Sequence, residues 1–270
     1  MKPFGEIDFC LLIPCYNNYE GLVLSLKSVV YPTDNFLIVV IDDGSKEGVT
    51  LERINQGIGI KKPMIVLQNE KNLGITATLN KGLAWIEENT DTKYIARLDC
   101  GDICAAERFV MQVQYMDANS QIGLLGSWCQ FQDKKTLEKY SYRTPVQHAD
   151  IIKTMYFRNV FIHPTVMFRR TLLKQSGYYP GGFELAEDYA FFWKLIKIKQ
   201  SFILDKFLVV CDLNKGGLSY SNKGKQLIAR WRVVKTFGSN LALKITACAR
   251  LIVLFILPKG IALQLKKWRK

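Results

Sequence analysis

Two pairs of carboxylates within residues 42–102 have types and a spacing that could do chemistry. Asp99 and Asp102 follow the apolar run YIARL, and carboxylate oxygens are the ligands that hard divalent cations prefer. A cation held there would neutralise a diphosphate and stabilise its departure. Asp42 and Asp43 end the run VVI, where a carboxylate can accept a hydrogen bond from a nucleobase or a ribose hydroxyl. The structural alternatives are a helix N-cap for the first pair and an Asx turn for the second.

A third carboxylate pair lies far along the chain. Glu187 and Asp188 begin the aromatic-rich segment EDYAFFWKL, and an aspartate in this place can act as a general base. The alternative is a favourable interaction of acidic side chains with the N-terminal end of a helix. His163 and Tyr16 also have structural alternatives, namely a hydrogen-bonded buried histidine and an aromatic that packs in a loop.

These residues need elements that bring them together, and the hydrophobic pattern supplies such elements. The predicted strands cover residues 9–14, 37–41, 64–67, 94–98 and 122–126, and the predicted helices cover 22–30, 74–88 and 107–117. This alternation predicts an α/β fold with a mostly parallel sheet flanked by helices. Ligands of such sheets bind at the carboxyl ends of the strands, which is where the first two carboxylate pairs lie. We therefore expect several loops to converge on one crevice.

The pattern is less regular after residue 130. Helices are predicted over Ala149–Phe157 and Glu187–Ile198, and a strand is predicted over His163–Phe168. From Leu227 onward the sequence predicts two or three further helices.

The positive charge of the chain is concentrated at its C-terminal end. The formal net charge is +13, and residues 213–270 contain thirteen Lys and Arg with no acidic residue, so residues 1–212 are neutral. A neutral main body argues against a nucleic-acid-binding protein, for which salt-dependent binding to any polyanion would be the evidence. Apolar residues followed by cations and Trp268 instead predict a helical region that lies on an anionic membrane. The alternative is a C-terminal helix packed on the domain.

The compartment is predicted from the cysteines and the N-terminus. Seven cysteines with no CxxC pair, in a chain with two histidines, argue against a zinc site and favour free thiols in a reducing cytosol. Glu6 and Asp8 argue against a signal peptide. The longest apolar run near the C-terminus, 251–257, is too short to span a membrane.

Six segments in combination resemble the inverting glycosyltransferases of family 2, which have the GT-A fold. The segments are IPCYNN (13–18), VVIDDGS (39–45), NEKNLGITATLNKGL (69–83), YIARLDCGD (94–102), HPTVMFRR (163–170) and AEDYAFFWKL (186–195). The resemblance covers roughly residues 8–215 and points to the bacterial enzymes that assemble O-antigen, capsule or exopolysaccharide. It implies a nucleotide-diphosphate sugar as donor, a lipid-linked or oligosaccharide acceptor, and a peripheral location on the cytoplasmic face of the cytoplasmic membrane.

The resemblance also implies a domain organisation. Residues 1–220 would form the glycosyltransferase domain, with a nucleotide-sugar-binding half over 1–105 and an acceptor-side half over 106–220. Residues 221–270 would form the basic, amphipathic, membrane-associating region. The segment Gln226–Trp231 has one residue too many for the Gln-x-x-Arg-Trp motif of processive synthases, which favours addition of a single sugar.

Individual residues receive roles from the same resemblance. Asp188 would be the catalytic base, with Glu187 on the acceptor side, and Asp99 and Asp102 would hold a Mn or Mg ion. The implied donor-binding residues are Pro14, Tyr16, Asn17, Asp42, Asp43, Asn72, Gly74, Asp99 and His163.

One position departs from the family pattern. Gly101 stands where the family has the second acid of its Asp-x-Asp motif, so metal dependence stays open. Cationic side chains such as Arg97 or Arg108 are the other source of leaving-group stabilisation. A catalytically silent relative is an alternative function. A nucleotidyltransferase is disfavoured because the first loop, PCYNN, is not a glycine-rich triphosphate loop.

Overall fold

The computed structural model describes residues 2–133, 136–213 and 223–256. The strands are β1 (Phe9–Cys15), β2 (Phe36–Asp42), β3 (Met64–Gln68), β4 (Tyr94–Arg97), β5 (Ile103–Cys104), β6 (Ile122–Gln132), β7 (Lys139–Tyr142), β8 (Met167–Arg169) and β9 (Gln200–Asp212). The helices are α1 (Tyr19–Ser28), α2 (Leu51–Ile58), α3 (Ile75–Asn89), α4 (Arg108–Ala118), α5 (His148–Met155), α6 (Leu173–Ser176), α7 (Glu187–Ile198), α8 (Lys223–Phe237) and α9 (Leu241–Ile256).

One sheet organises the described chain, with strand order β3-β2-β1-β4-β8-β6-β9-β5 and with β7 paired to β6. The strands β1 to β4 are parallel to their neighbours among themselves, as the sequence predicts. The second half of the sheet is mixed. There β6 and β9 are parallel, whereas β8 is antiparallel to both β4 and β6, and β5 is antiparallel to β9.

Two buried layers, one on each face of the sheet, explain why β1 and β2 are apolar throughout. Successive side chains of a strand point to opposite faces, so Leu12 and Val39 pack in the layer that contains α3 and α7. Leu11 and Ile38 pack in the layer that contains α1, α2 and α4. Because helices cover both faces, these strands read as continuous hydrophobic runs without a polar alternation.

The predicted strand over His163–Phe168 is wrong in its first half. His163–Thr165 forms one 3₁₀ turn, and β8 covers only Met167–Arg169. Pro164 has no amide hydrogen to donate to a strand ladder, so the chain turns there before it enters the sheet. The turn places the imidazole of His163 against the guanidinium of Arg97.

Three elements, α2, β5 and β9, have no counterpart in the sequence prediction. The helix α2 starts after Thr50, whose hydroxyl accepts a hydrogen bond from the Arg53 amide at 3.2 Å. Only Ile54 and Ile58 of this eight-residue helix are buried, which is too short an apolar pattern for a periodicity argument.

The C-terminal helices pack on the sheet domain. Ala229, Val233 and Val234 of α8 belong to the same buried layer as Trp193 of α7. The hydroxyl of Tyr156 accepts hydrogen bonds from the amides between α8 and α9. Within residues 2–133, 136–213 and 223–256, no helix has the length and apolarity that a membrane span requires. The predicted basic end of the chain, with Trp268, lies outside the described residues.

Candidate active site

The loops after β1, β2 and β4 meet at one edge of the sheet. In the strand register Cys15 lies opposite Asp42, and Leu12 lies opposite Arg97, so the three parallel strands end at the same edge of the sheet, with β4 three residues shorter. The Asn17 amide donates to the Ser45 hydroxyl at 2.9 Å, which joins the first loop to the second. The Asn18 side-chain amide donates to the carbonyl of residue 100 at 3.2 Å, which joins the first loop to the third.

Asp42 and Asp43 hold these loops in place. The carboxylate of Asp42 accepts hydrogen bonds from the amides of Ser45 and Val49, both at 3.1 Å. The carboxylate of Asp43 accepts from the Asn69 side chain at 2.8 Å and from the amides of residues 73 and 74 at 2.9 and 3.1 Å. Both carboxylates are buried, so the structure gives them a backbone-positioning role.

The loop pinned by Asp43 leads into α3. Asn72 is exposed in this loop, and Gly74 has a φ of +83°, a backbone conformation that favours glycine. Gly74 is the N-cap of α3, which has no side-chain cap on its first amides. The N-terminal end of a helix with free amides attracts anions such as a phosphate.

Tyr16 and Asn17 lie on the exposed side of the crevice. The side chain of Tyr16 is half exposed, so one ring face is accessible to a planar ligand. A groove of about 370 Å³ opens between the loops after β1 and β2, with Asn17, Ser45 and Lys46 among its lining residues. Pro14 lies beneath this loop, where its carbonyl accepts a hydrogen bond from the Cys100 thiol at 3.1 Å.

Arg97 is a fully buried cation behind the third loop. Its guanidinium donates to the carbonyl of Leu12, to the carboxylate of Asp99, and through Nε to His163 Nε2 at 3.2 Å. Since arginine stays protonated, His163 Nε2 must accept, and the imidazole is neutral with its proton on Nδ1. Burial, and then the charge of Arg97, lower the pKa of His163 to about 3. His163 therefore orients Arg97 and transfers no proton at neutral pH.

Asp99 and Asp102 offer oxygen ligands of different accessibility. The Asp99 side chain is 41% exposed, whereas Asp102 is buried and accepts a hydrogen bond from the Asp212 amide at 2.8 Å. Burial, and then the charge of Asp99, raise the pKa of Asp102 to about 8. Two neighbouring carboxylates that repel each other are a suitable partner for a divalent cation.

The donor set fits a cation that a substrate helps to bind. No group of three or more His, Cys, Asp or Glu side chains is arranged as a metal cage in the described parts of the chain. Mg²⁺ is commonly held by one or two carboxylates together with substrate phosphates. Asp99 and Asp102 could supply these carboxylates. Gly101 has a φ of +101°, so an aspartate in its place would be strained.

Asp188 lies in the first turn of α7, beyond the left-handed Leu185. Its carboxylate accepts hydrogen bonds from the Asn159 side chain at 2.9 Å and from the Tyr189 amide at 2.6 Å. Burial, and then the charge of Glu187, raise the pKa of Asp188 to about 7. A carboxylate that titrates near neutral pH is well suited to accept a proton.

The electrostatic neighbours of Asp188 show that the crevice is shared. The charge of Asp99 also raises the pKa of Asp188 and of Glu187, so Asp99 lies within electrostatic reach of both carboxyl groups. Glu187 accepts hydrogen bonds from backbone amides at the start of its own helix, which fixes that turn. The positive charge of Arg230 on α8 opposes these effects and lowers the pKa of Asp188.

Three contributors to this site were not singled out from the sequence as site residues. Asn159 lies in no recognisable motif, Tyr179 contacts His163 across a sequence separation of 16, and Arg230 lies outside the segments that carry the resemblance. The segment QLIARW around Arg230 was the one available signal.

Comparison with known proteins identifies the family of this chain. The model of the family "Glycosyl transferase family 2" matches residues 10–177. The amylovoran biosynthesis glycosyltransferase AmsE of Erwinia amylovora is 29% identical over 192 residues, with 70% of each chain covered. The UDP-Gal:alpha-D-GlcNAc-diphosphoundecaprenol beta-1,3-galactosyltransferase of Escherichia coli is 27% identical over 212 residues, which cover 75% of this chain and 73% of that protein.

A solved structure supports the architecture. The mannosyltransferase PcManGT from Pyrobaculum calidifontis, in complex with GDP-Man and Mn²⁺, superposes with a TM-score of 0.64 at 16% identity, covering 90% of this chain and 69% of that one. This likeness confirms the predicted α/β fold of the GT-A type.

Proposed function

Since the chain is a glycosyltransferase that belongs to family 2, we propose that it transfers one sugar, with inversion, from a nucleotide-diphosphate sugar to a hydroxyl of a lipid-linked saccharide. The names of the relatives support this proposal. One relative uses UDP-galactose and a sugar joined to diphosphoundecaprenol, and another takes part in amylovoran biosynthesis.

The environment of Asp188 is the observation that carries this proposal. A carboxylate with a pKa of about 7, held by Asn159 and facing the loop of Asp99, is positioned as a general base in a nucleotide-sugar crevice. Asp188 takes the proton of the acceptor hydroxyl while that oxygen forms a bond to the anomeric carbon. The bond from this carbon to the diphosphate oxygen breaks on the opposite side, and the bonding electrons leave with the nucleoside diphosphate. A single displacement inverts the configuration.

The donor side of the proposal rests on the three loops. Tyr16 and Asn17 would line the nucleobase pocket, and the loop of Asn72 and Gly74 would lie near the phosphates. Asp99 and Asp102 would hold a Mn or Mg ion, which would neutralise the departing diphosphate. Asp42, Asp43 and His163 would act behind this surface, by fixing the loops and Arg97.

The direct test is transfer itself. The full chain is incubated with UDP-, GDP- and dTDP-sugars and with a sugar joined to a diphosphate lipid, with Mn²⁺, Mg²⁺ or EDTA, and the anomeric configuration of the product is read by NMR. We expect an inverted product with one donor. Asp188→Asn should reduce transfer by about 10²- to 10⁴-fold. The control Asp205→Asn, at an exposed position, should leave transfer unchanged.

Each alternative predicts a different outcome of this test. Diphosphate binding without transfer to any acceptor would indicate a catalytically silent relative. Salt-dependent binding to DNA and heparin alike, with no nucleotide binding, would indicate a polyanion-binding protein.

The membrane part of the proposal rests on α9. Its outward side chains include Leu241, Ile245, Ile252 and Val253, each more than half exposed. We propose that residues 1–220 bind donor and acceptor, in the halves 1–105 and 106–220, while the region 221–270 contacts an anionic leaflet on the cytoplasmic side through α9.

Sedimentation with phosphatidylglycerol vesicles tests this attachment. Ile245→Glu with Ile252→Glu should leave the chain in the supernatant. Ile60→Glu is the control, because Ile60 is equally exposed on a distant loop. Unchanged pelleting of the double variant would contradict the role of α9.

A further inference from the structure

The packing of α8 on α7 brings Arg230 close to Asp188, the candidate base. The neighbouring residues Ala229 and Val233 are buried in the layer that also contains Phe192 and Trp193 of α7. This apolar contact fixes α8 against the helix that begins with the carboxylate pair. Arg230 is consequently held near Asp188, within electrostatic reach of its carboxylate, although 42 positions separate them along the chain.

The positive charge of Arg230 acts on the site and is not paired with an acidic side chain among the described residues. It lowers the pKa of Asp188 and of Tyr189, so the guanidinium lies within electrostatic reach of both. The side chain is partly buried, and among the described residues its guanidinium forms no hydrogen bond or ion pair. The two oxygens of Asp188 are instead bonded to Asn159 and to a backbone amide. A partly desolvated guanidinium with five N–H donors is a site for an anion, and it matches phosphate oxygens in particular.

The chemistry of the reaction indicates which anion this is. In an in-line displacement the base stands on the acceptor side of the sugar, and the leaving diphosphate stands on the opposite side. Arg230 lies on α8, which packs on the helix that carries the base and contains none of the three donor loops, so its anion is assigned to the acceptor. We propose that Arg230 binds a phosphate of the acceptor and holds the reacting hydroxyl beside Asp188. This inference rests on the proposed function.

The proposal narrows the acceptor class. A phosphate at Arg230 and a hydroxyl at Asp188 must lie close together on one molecule. The acceptor sugar is therefore one that is joined directly to a diphosphate, rather than the far end of a long saccharide. Arg230 would then determine acceptor specificity, and the donor loops after β1, β2 and β4 would be independent of it.

Two acceptors and three variants test this assignment. The acceptors are N-acetylglucosamine joined to an alkyl chain through a diphosphate, and the same sugar and chain joined without phosphate. The variants are Arg230→Met, Arg230→Lys and the control Arg232→Met, since Arg232 is exposed on the same helix. Kinetics use the donor that supports transfer, and calorimetry measures acceptor and nucleotide binding without turnover.

We expect Arg230→Met to weaken binding of the diphosphate acceptor and to raise its KM about 10- to 100-fold, which is the range for hydrogen bonds between charged groups. Binding of nucleoside diphosphate, the KM for the phosphate-free acceptor and the behaviour of Arg232→Met should stay unchanged. Arg230→Lys should recover part of the loss because it keeps the charge.

Four results would overturn the assignment. An equal rise in the KM of both acceptors in Arg230→Met would show that Arg230 has a structural role. A lowered Tm in Arg230→Met that Arg230→Lys does not restore would show the same. Weaker nucleotide binding in Arg230→Met would assign the anion to the donor. No binding of the diphosphate acceptor to the unaltered chain, with transfer to the phosphate-free acceptor, would refute this inference and leave the glycosyltransfer proposal intact. Absence of transfer to either acceptor would instead count against the proposed function, and the calorimetry would still decide the role of Arg230.

Discussion

The pH dependence of transfer should report the ionisation of Asp188. A base must be deprotonated to act, so kcat/KM should fall as the pH drops through the pKa of this carboxyl, about 7. At pH 5 about one molecule in a hundred would carry the carboxylate, and the rate should be about a hundredfold below its plateau. An aspartate with its ordinary pKa would lose only about a tenth of its ionised form at the same pH.

The fall of kcat/KM at low pH is the acid limb of the profile. Replacement of a charged neighbour of Asp188 should shift the pH of this limb, and the structure gives the direction. Glu187 raises the pKa of Asp188, so Glu187→Gln should move the limb to lower pH. The other groups that act on Asp188 are the Tyr189 amide and Arg230, which lower its pKa, and Asp99, which raises it. Arg230→Met should therefore move the limb to higher pH.

The assay is kcat/KM for the donor between pH 5 and 9, at constant ionic strength and saturating acceptor, with Asp205→Asn as the control. A profile that stays flat down to pH 5, or an unchanged limb in Glu187→Gln, would refute the assignment of Asp188 as the titrating base.

Three further predictions follow from described contacts. Asp188→Asn should reduce kcat by a factor of about 10² to 10⁴, the usual contribution of a general base, while calorimetry shows unchanged affinity for nucleoside diphosphate; a similar loss of donor affinity would contradict its acceptor-side position. Gly101→Ala should lower the free energy of unfolding in urea by about 1–3 kcal/mol, because the φ of +101° at this position is strained for any other residue. The control Gly181→Ala, on an exposed loop, should leave the free energy of unfolding unchanged. Equal values for the two variants would show that the loop of Gly101 relaxes. The pKa of Asp188 in the folded state lies above its unfolded value of 3.8, so the folded state binds the extra proton and the free energy of unfolding should fall as the pH rises from about 4 to 7. Thermal melts should therefore show a flatter pH dependence of Tm in Asp188→Asn than in the unaltered chain. An identical slope in both would indicate that the carboxyl is solvated.

The elements that the sequence predicts well are those whose signal is local. The helix over Glu187–Ile198 is confirmed residue for residue, and β1 and β2 are confirmed within a residue or two, because a buried parallel strand and a long amphipathic helix each have a clear pattern. The convergence of three loops could be predicted from the rule that the ends of parallel strands share an edge, and the hydrogen bonds of Asn17 and Asn18 join those loops.

The contacts that the sequence could not predict are between residues far apart in the chain. Arg97 reads as a cation in a strand, and nothing local shows that it is fully buried or that His163 orients it across 66 positions. The carboxylates of Asp42 and Asp43 resemble ligand-binding groups, and nothing local shows that they also accept hydrogen bonds from the loop amides. Composition and spacing cannot distinguish an acid that binds a ligand from one that fixes a loop.

The position of α8 has a consequence for how such enzymes diverge. The segment that defines the family ends at residue 177, whereas Asp188 and Arg230 lie beyond it on two helices that pack together. With the role proposed for Arg230, substitutions on α8 would change what is glycosylated without disturbing the loops proposed to bind the nucleotide sugar. Under selection for a new surface polymer, the two ends of the gene would be free to evolve at different rates.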